Sequence, residues 1–262
     1  MKKVRAKKKL GQHFLTNHVI AESIVDAFNV NAYFKNALEI GPGMGILTRY
    51  LSERTDIDLK VIDIDTESTQ YLEKLEWIKQ DQIINADFLR LNIDTLFKQG
   101  SLGIIGNFPY NISSQILFKV LDHKNLIIEL VGMFQKEVAE RVAAKSGSKI
   151  YGITSVLIQA YYQVEYLFTV EETEFDPPPK VKSAVIRLKR NQVEKLSCDE
   201  KLFKTIVKTS FNQRRKTLRN SLKPFLDEST KGAEIFNLRP EQLNVDQFIE
   251  LTNMISSSSN KA

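Results

Sequence analysis

Apolar positions along the chain change period, and the changes mark its elements. Val19, Ile20, Ile24, Val25 and Phe28 recur at helical spacing and predict a leading helix within residues 1–36, behind a basic arm. From residue 37 short apolar runs alternate with helical stretches. Ala37-Leu38-Glu39-Ile40 reads as a strand, Gly41-Pro42-Gly43-Met44-Gly45 as a loop, and Ile46 to Leu51 as a helix. Leu59 to Asp65, Ile83 to Phe88, Leu102 to Gly106 and Leu126 to Val131 are further strand candidates. The last has the continuous apolar character of a strand covered on both faces. Alternation of this kind up to about residue 135 predicts a parallel sheet with helical crossovers.

Beyond Gln135 the pattern gives a helix, a polar Lys145 to Lys149 loop, and a second helix from Ile153 to Tyr162. Two late strands, Glu165 to Val170 and Ala184 to Lys189, flank Pro177-Pro178-Pro179, a stiff extended linker. From Lys195 the chain turns helical, with Leu202, Phe203, Ile206, Val207 and Phe211 on one face and lysines opposite. The expected organisation is therefore an α/β domain over 1–192, arm included, and a small all-helical domain over 193–262. No repeat is evident, and only the Ser256 to Asn260 tail is low in complexity.

Chemistry gathers where the predicted strands end. Asn107-Phe108-Pro109-Tyr110 follows an apolar run and joins an amide, a proline-fixed turn and an aromatic plate, equipment for gripping a planar ring that bears an amine. Alternate glycines at 41, 43 and 45 allow close backbone approach to a ligand. Ile46 stands where a dinucleotide fingerprint has its third glycine, and Pro42 removes an N–H, so a pyrophosphate ligand fits poorly. Asp63 lies about 20 residues past the loop, where doubly wound folds set an acid against ribose hydroxyls. Asp87 ends the next stretch. Each aspartate alone reads as a helix cap. Four consecutive strand ends carrying such groups favour one shared pocket.

Charge sharpens the picture. The net charge of +5 hides two acid-free segments, residues 1–21 and 201–223, which hold 14 of the 37 lysines and arginines and leave 23 against 32 acids elsewhere. An anionic polymer gains from such clusters by counterion release, whereas either segment alone also reads as a solvated basic face. Composition, 26% charged and 42% apolar in 262 residues, is that of a globular protein, with no apolar run of membrane-spanning length and no secretory signal. The lone Cys198 suits a reducing cytoplasm, and three histidines without ligand spacing do not support a metal site.

Six blocks carry a family resemblance. They are Leu10-Gly11-Gln12-His13-Phe14-Leu15, Glu39-Ile40-Gly41-Pro42-Gly43, Asn107 to Ser113, Gln135-Lys136-Glu137-Val138, Phe175 to Val181, and Phe211 to Ser221. In that order they resemble the KsgA-type dimethyltransferases of small-subunit ribosomal RNA, S-adenosylmethionine enzymes that methylate adenine. The chain departs from the usual family pattern at His13 for Asn, Asp63 for Glu, Phe108 for Leu and Lys182 for Asp.

The resemblance implies a Rossmann-like S-adenosylmethionine-dependent methyltransferase sheet. It assigns His13, Leu15, Gly41, Asp63, Asp87 and Asn107 to the cofactor, with Glu39 second in line near the methionine portion. The Asn107 side-chain oxygen and the Phe108 carbonyl would accept from the adenine amine while Tyr110 stacks on the base. Phe175 would close the opposite face, or serve as a core aromatic beside the prolines. Arg214, Arg215 and Arg219 would dock RNA. The implied activity is N6,N6-dimethylation of two adjacent adenosines near the 3′ end of 16S ribosomal RNA during ribosome biogenesis. The expected partner is small-subunit RNA or a pre-30S particle, with a cytoplasmic monomer, no metal and no membrane. Two other readings stay in view: a resistance-type methyltransferase of large-subunit RNA, and a non-catalytic assembly factor.

Overall fold

Seven strands form one sheet in the order β4-β3-β2-β5-β6-β9-β7. In chain order these are β2 (Phe34–Ile40), β3 (Asp58–Asp63), β4 (Ile83–Asn85), β5 (Ser101–Asn107), β6 (Ile127–Gln135), β7 (Tyr162–Val170) and β9 (Ser183–Arg190). A separate antiparallel pair joins β1 (Phe14–Leu15) to β8 (Phe175–Asp176). The computed structural model describes residues 4–28, 34–227, 230 and 232–259; Lys2, Lys3 and Asn260, which the sequence assigned to the basic arm and the tail, lie outside these.

Strands β4, β3, β2, β5 and β6 run parallel, and β9 returns antiparallel to β6. The crossover helices are α2 (Ile46–Ser52), α3 (Thr66–Leu72) and α4 (Ser113–Asp122), with α1 (His18–Ala27) leading in. The chain passes from β2 outward to β3 and β4, then crosses back to lay β5 on the other side of β2. Strand order therefore reverses between β2 and β5. A crevice opens at the carboxyl ends of strands at such a point. Ala37, Leu59, Val61, Ile105, Val131, Met133 and Val185 pack with Ile24, Phe28, Leu47 and Leu51 in one core cluster.

β6 is longer than its apolar run predicted. Gly132 interrupts that run in the sequence yet sits mid-strand, paired with both Gly106 and Ile186. The reason is the Phe108 ring: a Cβ on Gly132 would lie 2.0 Å from Phe108 Cε2. Helix α6 (Ile153–Gln159) is shorter than predicted, because Tyr162 already opens β7. Only Ile83–Asn85 of the Ile83 to Phe88 stretch is strand, and Ile64 and Asp65 lie past the end of β3.

The chain divides into two compact units: residues 1–139 with 163–190, and residues 140–162 with 191–262. Residues 140–162, which the sequence reading joined to the sheet domain, belong with the C-terminal helices. Helix α5 (Lys136–Ala143) carries the chain from one unit into the other. The second unit contains α6, α7 (Glu200–Asn212), α8 (Leu218–Ser221) and α9 (Val245–Ser259). Asp199 caps α7 by accepting from the Lys201 and Leu202 amides. Phe203, Ile206, Val207 and Phe211 are buried, and Phe211 meets Phe248 of α9 with ring centroids 5.9 Å apart. Lys201 and Lys208 stay exposed on the opposite face, as the periodicity predicted. The serines at 256–259, expected as a tail, finish α9.

Candidate active site

At the β2/β5 reversal lies a cavity of about 230 Å³, lined from the arm, the glycine loop and the ends of β3, β4 and β5. The glycine loop leaves β2 with Gly41 at φ 70° and Gly43 at φ 56°, backbone conformations that side chains disfavour. A Cβ on Gly43 would also meet the Phe14 ring at 2.8 Å. Asp63, at the end of β3, fixes this loop. Its Oδ2 accepts from the Gly43 amide at 3.4 Å and its Oδ1 from the Asp65 amide at 2.8 Å. Burial pushes its carboxyl up to about 6.

Asp65 sits beneath the arm. It caps α3 through the Glu67 amide and accepts from Lys7 Nζ and Gln12 Nε2. Burial raises its carboxyl, but these hydrogen bonds outweigh it and leave the group below the ordinary carboxylate value. The arm is thereby tied across the crevice. Gly11 approaches the Asn111 side chain, and His13 Nδ1 lies 2.8 Å from the Pro177 carbonyl.

Strand β5 delivers Asn107 to the same place. Asn107 Nδ2 donates to the His13 carbonyl at 2.9 Å, which leaves Oδ1 as an acceptor without a partner among the described residues. Phe108 is fully buried and packs edge-to-face on Phe134 at 5.0 Å, while its amide donates to the Met133 carbonyl. Its own carbonyl has no partner among the described residues. The Tyr110 ring stacks on His13, with centroids 5.3 Å apart and planes 29° apart, and its hydroxyl bonds the Ser183 hydroxyl on β9. Burial raises the phenol above its ordinary value.

On the far wall Asp87 accepts from the Leu89 amide at 2.9 Å, beside Phe88 and the exposed Ile64. Behind the loop lies Glu39, fully buried, with Oε2 unpartnered among the described residues. Burial pushes its carboxyl up to about 8, with the nearby Thr48 opposing this and the Asp63 charge adding to it. Thus His13, Gly41, Asp63, Asp87, Asn107, Phe108 and Tyr110 converge on one cavity. Such a set offers two acceptors at a ring edge, a stacking face, and carboxylates for a cationic ligand.

A model of the family described as ribosomal RNA adenine dimethylase matches residues 3–257. The chain belongs to that family. It is 56% identical over 257 residues to the ribosomal RNA small subunit methyltransferase A of Cytophaga hutchinsonii, covering 98% of this chain and 99% of that one. The protein of the same name from Bacteroides fragilis is 55% identical over 260 residues, with 98% and 95% covered. Among solved structures, a dimethyladenosine transferase from Plasmodium falciparum superposes with a TM-score of 0.75 at 24% identity, over 95% of this chain and 98% of that one. The 23S rRNA methyltransferase ErmE does so with a TM-score of 0.63 at 25% identity, over 92% and 99%.

Within this dimethylase some expected residues stand apart from the cavity. Leu15 is buried, pairs with Phe175 across β1 and β8, and borders a smaller void of about 30 Å³ beside Glu39 and Asn107. Phe175 is 4% exposed within the core, the alternative its sequence context left open. Lys182, an acid in the usual family pattern, pairs with Glu171 at 2.8 Å. In the helical unit Arg214 donates to the Ser148 carbonyl, Arg219 donates to Asn237, and Arg215 is exposed.

Gln12, Ile64 and Phe88 also line the cavity, yet the sequence reading gave them no site role. Ile64 carried a signal: an aliphatic residue between two strand-end aspartates. No helix among the described residues is long and apolar enough to cross a membrane.

Proposed function

We propose that this dimethylase transfers methyl groups to the N6 amines of two adjacent adenosines near the 3′ end of 16S ribosomal RNA during ribosome biogenesis. The observation that carries the reading is the Asn107 amide, oriented by the His13 carbonyl beside the free Phe108 carbonyl and the Tyr110 ring. S-adenosylmethionine supplies the methyl group as an electrophilic sulfonium. The cavity suits it, because a close-approach glycine loop meets Asp63 and Asp87, and a buried carboxyl at Glu39 keeps one oxygen unpartnered.

The chemistry asked of the protein is modest in kind. An exocyclic amine conjugated with a purine is a weak nucleophile. The Asn107 oxygen and the Phe108 carbonyl accept its two N–H groups and stabilise the positive charge that develops as the new N–C bond forms. Tyr110 stacks on the extruded base, an interaction of about 1–3 kcal/mol at comparable sites. Neither residue takes the proton; once the amine is alkylated the proton is acidic and leaves to solvent. Positioning of amine against donor supplies most of the rate. The base must leave its stack to reach the pocket, so the substrate is locally open RNA. Basic side chains of the helical unit, Arg215 foremost, hold its phosphates.

The name shared by relatives at 55 and 56% identity favours the small subunit over the large one. Asn107 and Tyr110 in place favour an enzyme over an assembly factor. The same reading makes the protein a cytoplasmic monomer. Incubation with labelled donor and unmethylated small or large subunits, followed by mapping of the label, tests it. Label is expected on two neighbouring small-subunit adenosines; label on large subunits alone, or on neither, overturns the assignment.

A further inference from the structure

Lys119 lies outside the cavity and has no part in the chemistry just described, yet its ammonium group is committed on three sides. Nζ donates to the Phe88 carbonyl at 2.6 Å and to the Leu91 carbonyl at 2.6 Å, and it lies 4.9 Å from the centre of the Phe88 ring. Charge-assisted hydrogen bonds to carbonyls at this distance are strong, and a cation over a ring face adds to them. Burial lowers its pKa against the pull of Asp87 and Asp94, the acids that face it. The group is therefore held by its partners at a cost in hydration, which a freely solvated lysine would not bear.

What Lys119 holds is the wall that carries Asp87. Residues 87–91 form a tight turn in which the Arg90 and Leu91 amides both donate to the Asp87 carbonyl at 3.0 Å, and the Asp87 side chain accepts from Leu89. Within the turn the Phe88 carbonyl accepts only a longer bond, 3.3 Å, from the Leu91 amide, which is shared with Asp87, and the lysine completes it and the Leu91 carbonyl as a cation closes a helix end. Its own helix, α4, starts directly after the loop bearing Asn107 and Tyr110, and the Ser113 hydroxyl donates to the Tyr110 carbonyl. One side chain thus joins the element that grips the amine to the wall at the opposite end of the cavity.

We propose that Lys119 is a positioning residue for the methyl donor, acting through Asp87 and Phe88. The inference rests on the donor occupying the cavity. Loss of the clamp loosens the wall and weakens donor binding, while Asn107, Phe108 and Tyr110 keep their places and the transfer step keeps its rate.

Lys119→Met preserves length and apolar stem but donates no hydrogen bond, whereas Lys119→Arg retains two donors for the two carbonyls. The donor KM of Lys119→Met is expected to rise about tenfold, the size of one lost charge-assisted hydrogen bond, with kcat within about twofold. Lys119→Arg is expected to stay near wild type. Hydrogen exchange in the free protein should quicken at the Leu89 to Leu91 amides of the Met variant and stay unchanged in β5. An unaltered exchange pattern overturns the clamp. An unaltered donor KM, or a fall in kcat with KM constant, overturns its role toward the donor. A wild-type protein that binds no donor would instead refute the proposed function, while the exchange result stands by itself. If Lys119→Met fails to fold, Lys119→Gln, with donors for one carbonyl at a time, is the variant measured, and its donor KM should rise above that of Lys119→Arg by less than about tenfold; a KM equal to that of Lys119→Arg overturns the role toward the donor.

Discussion

The side-chain amide of Asn107 donates to the main-chain carbonyl of His13 at 2.9 Å. A carboxamide can face a ligand with either end, and this bond decides which. With the N–H end taken by the arm, the oxygen end is left for an amine, which is the polarity that an adenine N6 group requires.

Removing that oxygen should therefore act on the transfer step. Asn107→Ala is expected to lower kcat by about 10²–10³-fold, the range seen when one preorganised polar contact to a transition state is lost. The melting temperature should change little. Kinetics with labelled donor and saturating small subunits, beside a thermal scan, decide the matter; unchanged kcat would return Asn107 to a loop-fixing role.

Phe108 and Gly132 are expected to behave as one unit. Gly132→Ala drives a Cβ into a ring 2.0 Å away and should destabilise the fold by about 1–3 kcal/mol. Phe108→Leu shrinks the ring to the residue more usual in the family. Combined, the two changes should cost less than their sum, and denaturant unfolding of the four proteins measures the coupling. Additive effects would mean that the contact is not what excludes side chains at position 132.

Glu39 predicts a pH dependence with a definite sign. Its folded-state value of about 8 lies above the 4.5 of an unperturbed glutamate, so the folded protein holds the proton more tightly. Stability from this group is fully present below pH 4.5 and is lost as pH climbs toward 8. Asp63, raised to about 6 from 3.8, contributes with the same sign at lower pH. Glu39→Gln cannot ionise, so its melting temperature should fall less than that of wild type between pH 6 and 9. Parallel curves would show that Glu39 is charged throughout.

In the helical unit the three arginines should separate. Arg214 bonds the Ser148 carbonyl and lies 3.9 Å from Glu241, and Arg219 bonds Asn237, so their removal should reduce stability. Arg215 is exposed, and Arg215→Gln should leave the melting temperature unchanged. It should lower the slope of log K against log salt for RNA binding by about one unit. An unchanged slope would make Arg215 an ordinary surface charge.

Local pattern determined a good deal of this protein. The succession of strand, loop and helix, the glycine loop after Ile40, and the strand-end positions of Asp63 and Asn107 are legible because each depends on neighbours in sequence: alternation, turn residues, the end of an apolar run. So are the buried and lysine-bearing faces of α7. Local pattern also hid things for the same reason. Gly132 looked like the end of β6 because a glycine breaks an apolar run, whereas a ring 24 residues away demands it. Tyr162 extended a helical pattern, yet it opens β7, because sheet pairing overrides a local period.

Only tertiary structure decided which end of the Asn107 amide is free, that Phe175 is core, that residues 140–162 leave the sheet domain for the helices, and that Lys119 grips the turn behind Asp87. Each of these is settled by groups far apart in the chain meeting at hydrogen-bond or van der Waals distance. Such meetings are set by strand order and packing, which leave no periodic trace in the amino-acid sequence.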